Sequence, residues 1–538
     1  MRLKEALSVM SKSSRYAVST EHQQSNQSLL DEIKSYLYIK MPIETDVENC
    51  LKSFGANERK VLFLCGSSGD GKSELLTKFK SQYDKRIRFH LDATHSFSPK
   101  GTAIQTLDNL FSEFESLDQS GQTLIRYPLV VGINTGMMAN YVDEGGCQFI
   151  RDTFSEYLKS KSCSAPHVHF IDFEHYPKYE IVQDGYKAEF ASKLLARVTS
   201  KTDENKLRFL LERERQLYPH ESAQLIANFE LLSIPSVQRA IVDLLFKARL
   251  IRDQFLTARA LLDFIHELLA GEGYLFDNVF AGGANELADK IEEFDPAFIR
   301  SKAIDQFVLK HDLNLPDVDL DAFTDDLTVL GISNKLTGNQ YIRLFYLLKY
   351  ENFSNNYHHR FLPDFEEKLL NQFVKIHYLH SKQEYTLSDK NELMAFYRDN
   401  LVEAIRSYIN RNAPQLSRNF VLLNDFGKYL IAAPAKLLID QQAVEADDNQ
   451  NCSSFVARFK LQNDKLSLPV NINLLNLINS INEGYRPNKN DKNSVILLDE
   501  LANEIIQSAK KSEKLQIVSP TQKFELEHEG DAIVVSEV

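Results

Sequence analysis

Short apolar runs alternate with amphipathic stretches through the first third of the chain. Val61-Leu-Phe-Leu64 is an unbroken hydrophobic run that ends in glycines, and it predicts a buried strand. Arg86–Asp92, Leu129–Ile133 and Val168–Phe173 predict three more. Between them, Ile104, Leu107, Leu110 and Phe111 recur at helical spacing and predict a helix over Ala103–Phe114. Apolar strands separated by helices predict a parallel sheet between helices, an α/β core spanning residues 56–200. Ahead of it, residues 1–55 are polar, with a Ser/Gln-rich stretch over Ser19–Ser28 and then a helical pattern through Leu29, Leu30, Ile33 and Leu37.

Beyond residue 200 the period becomes helical. Lys206–Leu217, Ala223–Leu232, Val237–Arg249 and Thr257–Leu269 carry apolar residues three and four apart, punctuated by Pro219, Pro235 and Gly271. They predict a helical segment over 201–275. Residues 276–454 also read as mostly helical, rich in Phe, Tyr and Leu, and close with a polar loop over Ala443–Ser454. Residues 455–538 predict a small α+β unit. Phe455–Val470 alternates like a hairpin around Gln462-Asn-Asp464, and two helices follow, Asn471–Asn482 and Val495–Ala509. Strand-like Leu515–Val518, Lys523–Leu526 and Ala532–Val535 come last.

Gly66-Ser-Ser-Gly-Asp-Gly-Lys72-Ser73 follows the first strand and opens a helix, matching G-x-x-x-x-G-K-[ST] in its proper context. Glycines let such a backbone curl so that several N–H groups point at a phosphate, and the helix adds its positive end. The expected ligand is ATP with Mg²⁺. Gly66, Ser67, Ser68, Gly69, Asp70, Gly71, Lys72, Ser73 and Glu74 are the candidate contacts, with Lys72 as the cation and the Ser73 hydroxyl on the metal. Asp92, closing the second strand, is the candidate second metal carboxylate. A loop cap within the turn-rich Asp92–Pro99 is the alternative, and Asp172, ending the fourth strand, is a weaker candidate. Asp92 lies only about 20 residues past Lys72, and Ala93 and Thr94 follow it where a water-polarising glutamate usually stands. Binding is therefore better founded than hydrolysis. Asn134, closing the third strand, either orients a water near the γ-phosphate or makes an Asn-Thr-Gly turn.

A net charge of −13 disfavours a role in coating nucleic acid. Five scattered cysteines, with no Cys-x-x-Cys pair, argue against a disulfide framework or a zinc ribbon. The start lacks a secretory apolar core and no run of 18 apolar residues occurs, so a cytoplasmic chain that crosses no membrane is expected. His167, His169 and His175 could suggest a metal, since His-x-His in a strand points both rings to one face. No third ligand is well spaced, however, and an ordinary packing or surface histidine is the better reading for these and for His358-His359.

Two resemblances add to this. Asn134 is similar to the sensor-1 position of AAA-type ATPases, and the helix starting Thr257-Ala-Arg259 resembles their lid helix, whose early arginine reaches the γ-phosphate. A solvated Arg259 is the alternative. Val61–Leu76, Asp92–Pro99, Val131–Gly136 and Leu7–Ser14 resemble the DNA-phosphorothioation-dependent restriction protein DptF (DndF) family, with the specific motifs concentrated in residues 1–140. That resemblance implies an ATPase subunit of a bacterial defence complex, working with DptG- and DptH-type subunits against DNA that lacks the sulfur modification. DNA would be met through the complex. The alternatives are an ATP-gated scaffold with little hydrolysis and a STAND-type signalling ATPase that homo-oligomerises on nucleotide.

Overall fold

The computed structural model describes all residues except 12–28, 56–59, 97–100, 116–127, 166, 184, 284, 333–334, 448–451, 489–490, 530–531 and 538. The Ser19–Ser28 stretch, and Lys12–Ser14 and Phe97–Pro99 of the motifs above, lie outside the described residues. The chain divides into two compact units. One comprises residues 1–178, 188–248 and 254–366, the other 179–187, 249–253 and 367–538.

The first unit is built on a four-stranded parallel sheet: β1 (Val61–Cys65), β2 (Arg88–His90), β3 (Leu129–Ile133) and β4 (Val168–Asp172), in the order β2-β3-β1-β4. Its helices begin with α1 (Leu3–Leu7), α2 (Leu29–Leu37) and α3 (Pro42–Lys52). They continue with α4 (Lys72–Tyr83), α5 (Ala103–Glu115), α6 (Thr135–Glu144) and α7 (Gln148–Ser160). Successive residues of β1 point to opposite faces. Val61, Phe63 and Cys65 join a core with Leu107 and Phe111 of α5, Met138 and Tyr141 of α6 and Phe154 and Tyr157 of α7. Leu62 and Leu64 join a second core with Ile43, Val47 and Leu51 of α3 and Leu75, Leu76 and Phe79 of α4. Helices cover both faces, which is why β1 and β3 are apolar at every position rather than at alternate ones.

α8 (Glu189–Thr199), α9 (Lys206–Leu217), α10 (Ala223–Leu232), α11 (Pro235–Arg252) and α12 (Ala258–Ala270) follow. Asn205 caps α9 and Thr257 caps α12, each side chain accepting a first-turn N–H. The amino-terminal α1 and the 3₁₀ turn after it pack on α9 and α12. There the Arg2 guanidinium grips the buried Glu214 carboxylate at 2.9 Å and lies 3.9 Å over the Tyr218 ring.

Among the described residues, the second unit holds a hairpin of β5 (Glu180–Val182) and β6 (Gly185–Lys187) and eight further strands. These are β7 (Phe420–Asp425), β8 (Leu430–Pro434), β9 (Leu438–Ile439), β10 (Ser454–Leu461), β11 (Asp464–Asn471), β12 (Lys514–Val518), β13 (Lys523–Glu529) and β14 (Ala532–Glu537). The β10–β11 hairpin turns at Gln462, as its alternation predicts, and Gln462 takes a φ of 54° there. The expectation of mostly helix over 276–454 is corrected: β7, β8 and β9 fall inside it. β7 and β8 complete an antiparallel sheet, β14-β13-β12-β8-β7, with strands from the far end of the chain. No described helix is long and apolar enough to cross a membrane.

Candidate functional site

The loop between β1 and α4 emerges where β1 runs out of apolar residues. Gly69 and Gly71 hold φ of +85° and +99°, which only glycine adopts readily, so the backbone curls back before α4 starts at Lys72. Gly71 caps α4 without any side chain, so no side-chain cap occupies the helix end. The Lys72 ammonium bends over the loop and donates to the carbonyls of Gly66 (2.9 Å) and Ser67 (2.7 Å). Burial pushes its pKa below the ordinary lysine value, while Asp70 and then Asp92 pull it back up. Ser67 and Ser68 are exposed at the crest. Glu74 turns aside to an ion pair with Lys34 of α2 (2.9 Å).

Beside this loop the sheet order places two of the other candidates. β3 lies between β1 and β2, so the strand leading to Asp92 is the second neighbour of β1 despite its closeness in sequence. The Ser73 hydroxyl donates to the carbonyl of Leu91, the residue before Asp92 (3.4 Å). β2 is shorter than the alternation suggests, but pairing continues past it through the Ala93 N–H and the Gly132 carbonyl (2.8 Å). Gly132 is needed there, because a methyl group on it would stand 2.4 Å from the Leu91 carbonyl oxygen. The Asp92 carboxylate accepts from the Thr94 N–H (2.9 Å) and hydroxyl (2.7 Å) and lies 3.3 Å from His95 Nδ1. The geometry of a loop cap is thus present at Asp92. Ala93, where a glutamate would follow, is fully buried in the core.

Asn134 does not make a free turn: its side-chain oxygen accepts the Met137 N–H (2.7 Å) and caps α6. That leaves the amide NH₂ as its donor. Asp172 is committed elsewhere. Only 1% exposed, it accepts from the Tyr157 hydroxyl (2.9 Å) and the Glu174 N–H (3.0 Å), with the Lys161 ammonium at 3.8 Å. Arg259 has an exposed side chain, but its backbone N–H reaches the Gly69 carbonyl (3.4 Å). A methyl group on Gly69 would meet the Thr257 hydroxyl at 3.2 Å, so the start of α12 rests directly on the loop.

His169, His358 and His359 pack, whereas His167 and His175 are exposed. His169 lies against Phe54, with ring centres 5.8 Å apart, and burial holds it below its ordinary pKa. His358 and His359 both reach the Glu351 carbonyl oxygen (3.0 and 2.9 Å). Among the described residues no group of three or more His, Cys, Asp or Glu could hold a metal ion. Sequence reasoning did not single out Lys178, whose ammonium lies 2.8 Å from Asp70 in the loop. A lone lysine 108 residues away carries no local signal. Comparison with protein-family models, with curated proteins and with solved structures found no match.

Proposed function

We propose that the chain is a Mg²⁺-dependent ATP-binding protein and ATPase, with residues 66–74 holding the polyphosphate. The observation that carries this reading is the curled main chain between a buried strand and a helix, with the Lys72 ammonium drawn over it. A triphosphate oxygen can take over that ammonium from the Gly66 and Ser67 carbonyls. The sheet order supports an AAA-like core, because such domains place another strand between the loop strand and the metal strand, as β3 lies here. The helices beginning at α8, with α12 against Gly69, would serve as the lid.

The roles follow from position. Ser73 and Asp92 would hold Mg²⁺, which supplies positive charge against the β- and γ-phosphates. Lys72 adds a compact cation, Asn134 offers an amide donor to water, and Arg259 would have to turn its side chain inward to reach the γ-phosphate. The resemblance to the DptF (DndF) family, whose specific motifs are concentrated in residues 1–140, would put this activity in restriction of unmodified DNA, with DptG- and DptH-type subunits as partners.

A second reading, an ATP-gated scaffold with little turnover, is favoured by one feature: Asp92 is bonded to Thr94 and His95 and is followed by a buried alanine. Single-turnover hydrolysis with and without DNA separates the two. For the shared premise, Lys72→Ala in the full chain should weaken MgATP binding by about tenfold or more, from loss of a charge-assisted contact, and lower any turnover at least as much. Binding and turnover both intact in that variant would sink the assignment.

A further inference from the structure

Asp70 puts a carboxylate inside a loop proposed to receive a polyanion, which is electrostatically adverse unless the charge is cancelled. One of its oxygens, Oδ2, accepts the Ser67 N–H at 2.7 Å and ties the loop into a turn. The other, Oδ1, accepts from the Lys178 ammonium at 2.8 Å. The pair is well shielded from water, the side chains of Lys178 and Asp70 being 16% and 12% exposed. It is therefore screened less than a surface ion pair. The Phe190 ring centre lies 5.9 Å from the ammonium, and the Phe173 side chain stands against Gly66.

We propose that Lys178 is a positioning residue of the phosphate loop. Its ammonium cancels the charge of Asp70, so that Asp70 shapes the loop through Ser67 without repelling a triphosphate. The inference rests on the nucleotide reading above and names a residue, outside the motif, that sets the affinity of that site. Lys178 sits in the stretch after β4, six residues past its end, so the strand beside β1 delivers the counter-charge.

The test is the Kd of MgATP for the full chain, measured by calorimetry. One unit charge about 10 Å from another, at an effective dielectric near 20, is worth about tenfold in affinity. Lys178→Met should accordingly raise Kd about tenfold, whereas Lys178→Arg should stay within about threefold of wild type. The double variant Asp70→Asn with Lys178→Met keeps an acceptor for Ser67 but removes the buried negative charge, and it should regain most of the lost affinity. A merely structural tie would not be rescued in that way. Should Lys178→Met not fold, Lys178→Gln, which can still donate to Asp70, carries the same expectation. The proposal is overturned if the neutral variant binds within twofold of a binding-competent wild type, or if the double variant is as weak as the single. A wild-type chain that does not bind MgATP overturns the nucleotide reading, and this inference with it.

Discussion

Gly132→Ala probes the packing that places Asp92. The new methyl group would stand 2.4 Å from the Leu91 carbonyl oxygen and 3.1 Å from a Leu76 methyl. Real Cβ atoms essentially never come within 3.0 Å of another atom, so something must give by at least 0.6 Å. The obstacle is main chain held in register by the neighbouring Ala93 N–H bond to the Gly132 carbonyl, not the far end of a flexible side chain. Overpacking against such an obstacle belongs at the upper end of the usual range, about 2–3 kcal/mol. For a unit of about 350 residues that is a fall in Tm of about 3–4 °C in a thermal melt, compared at one scan rate because large chains unfold irreversibly. The displacement falls on Leu91, which accepts from the Ser73 hydroxyl and precedes Asp92. Turnover should therefore fall more than ATP binding if Asp92 works with Ser73 on the metal. Gly136→Ala is the control, since its methyl group meets only the Asn134 side-chain oxygen at an ordinary 3.5 Å. In a helix that change should be neutral or stabilising by up to about 1 kcal/mol. A Gly132→Ala chain that melts with wild type would refute the argument from close approach.

Two further predictions concern buried carboxylates. The Arg2 guanidinium holds the Glu214 pKa down to about 2, helped by Ser222 and the Leu3 N–H and opposed by burial. The folded value lies below the unfolded one, so the resulting stability is present above about pH 4.5 and is lost as the pH falls toward 2. Arg2→Ala should lower the Tm at pH 7, and the gap from wild type should close between pH 5 and 2 in melts across that range. Equal gaps at both ends would contradict it. Tyr157→Phe removes a hydroxyl that donates to the buried Asp172, and it should cost about 1.5–3 kcal/mol. Adding Asp172→Asn should give less than the sum of the two single losses if the groups act as a pair, whereas strict additivity would deny the coupling.

Much of the fold was legible along the chain because the signals are local. β1 and β3 are unbroken apolar runs that need cover on both faces, and α9 and α10 fall on the periodic segments Lys206–Leu217 and Ala223–Leu232. The Gln462 turn announced its hairpin in the same way. What was not legible depends on pairing at a distance. β7 and β8 lack clean alternation and sit in an aromatic, helix-like stretch; their sheet exists because β12, some eighty residues later, pairs with β8. At the candidate site, the glycine pattern foretells a curled backbone, since the φ it requires is a property of single residues. The order β2-β3-β1 could not be read, because spacing along the chain says nothing of which strand is inserted between two others. Asn134 was legible as a polar strand end but not as the cap of α6. The lysine that answers Asp70 was hidden for the same reason as the sheet order.

The contact between Gly69 and the start of α12 makes two distant stretches of chain share one position. With no side chain at Gly69, and the Arg259 N–H meeting its carbonyl, the crest cannot rise without lifting the end of a thirteen-residue helix that itself supports the amino-terminal turn. Moving the loop at Gly69 therefore means moving the first turn of α12 as well. A substitution along α12 that tilts its first turn should shift the loop at Gly69, although it touches none of the residues in the glycine-rich motif.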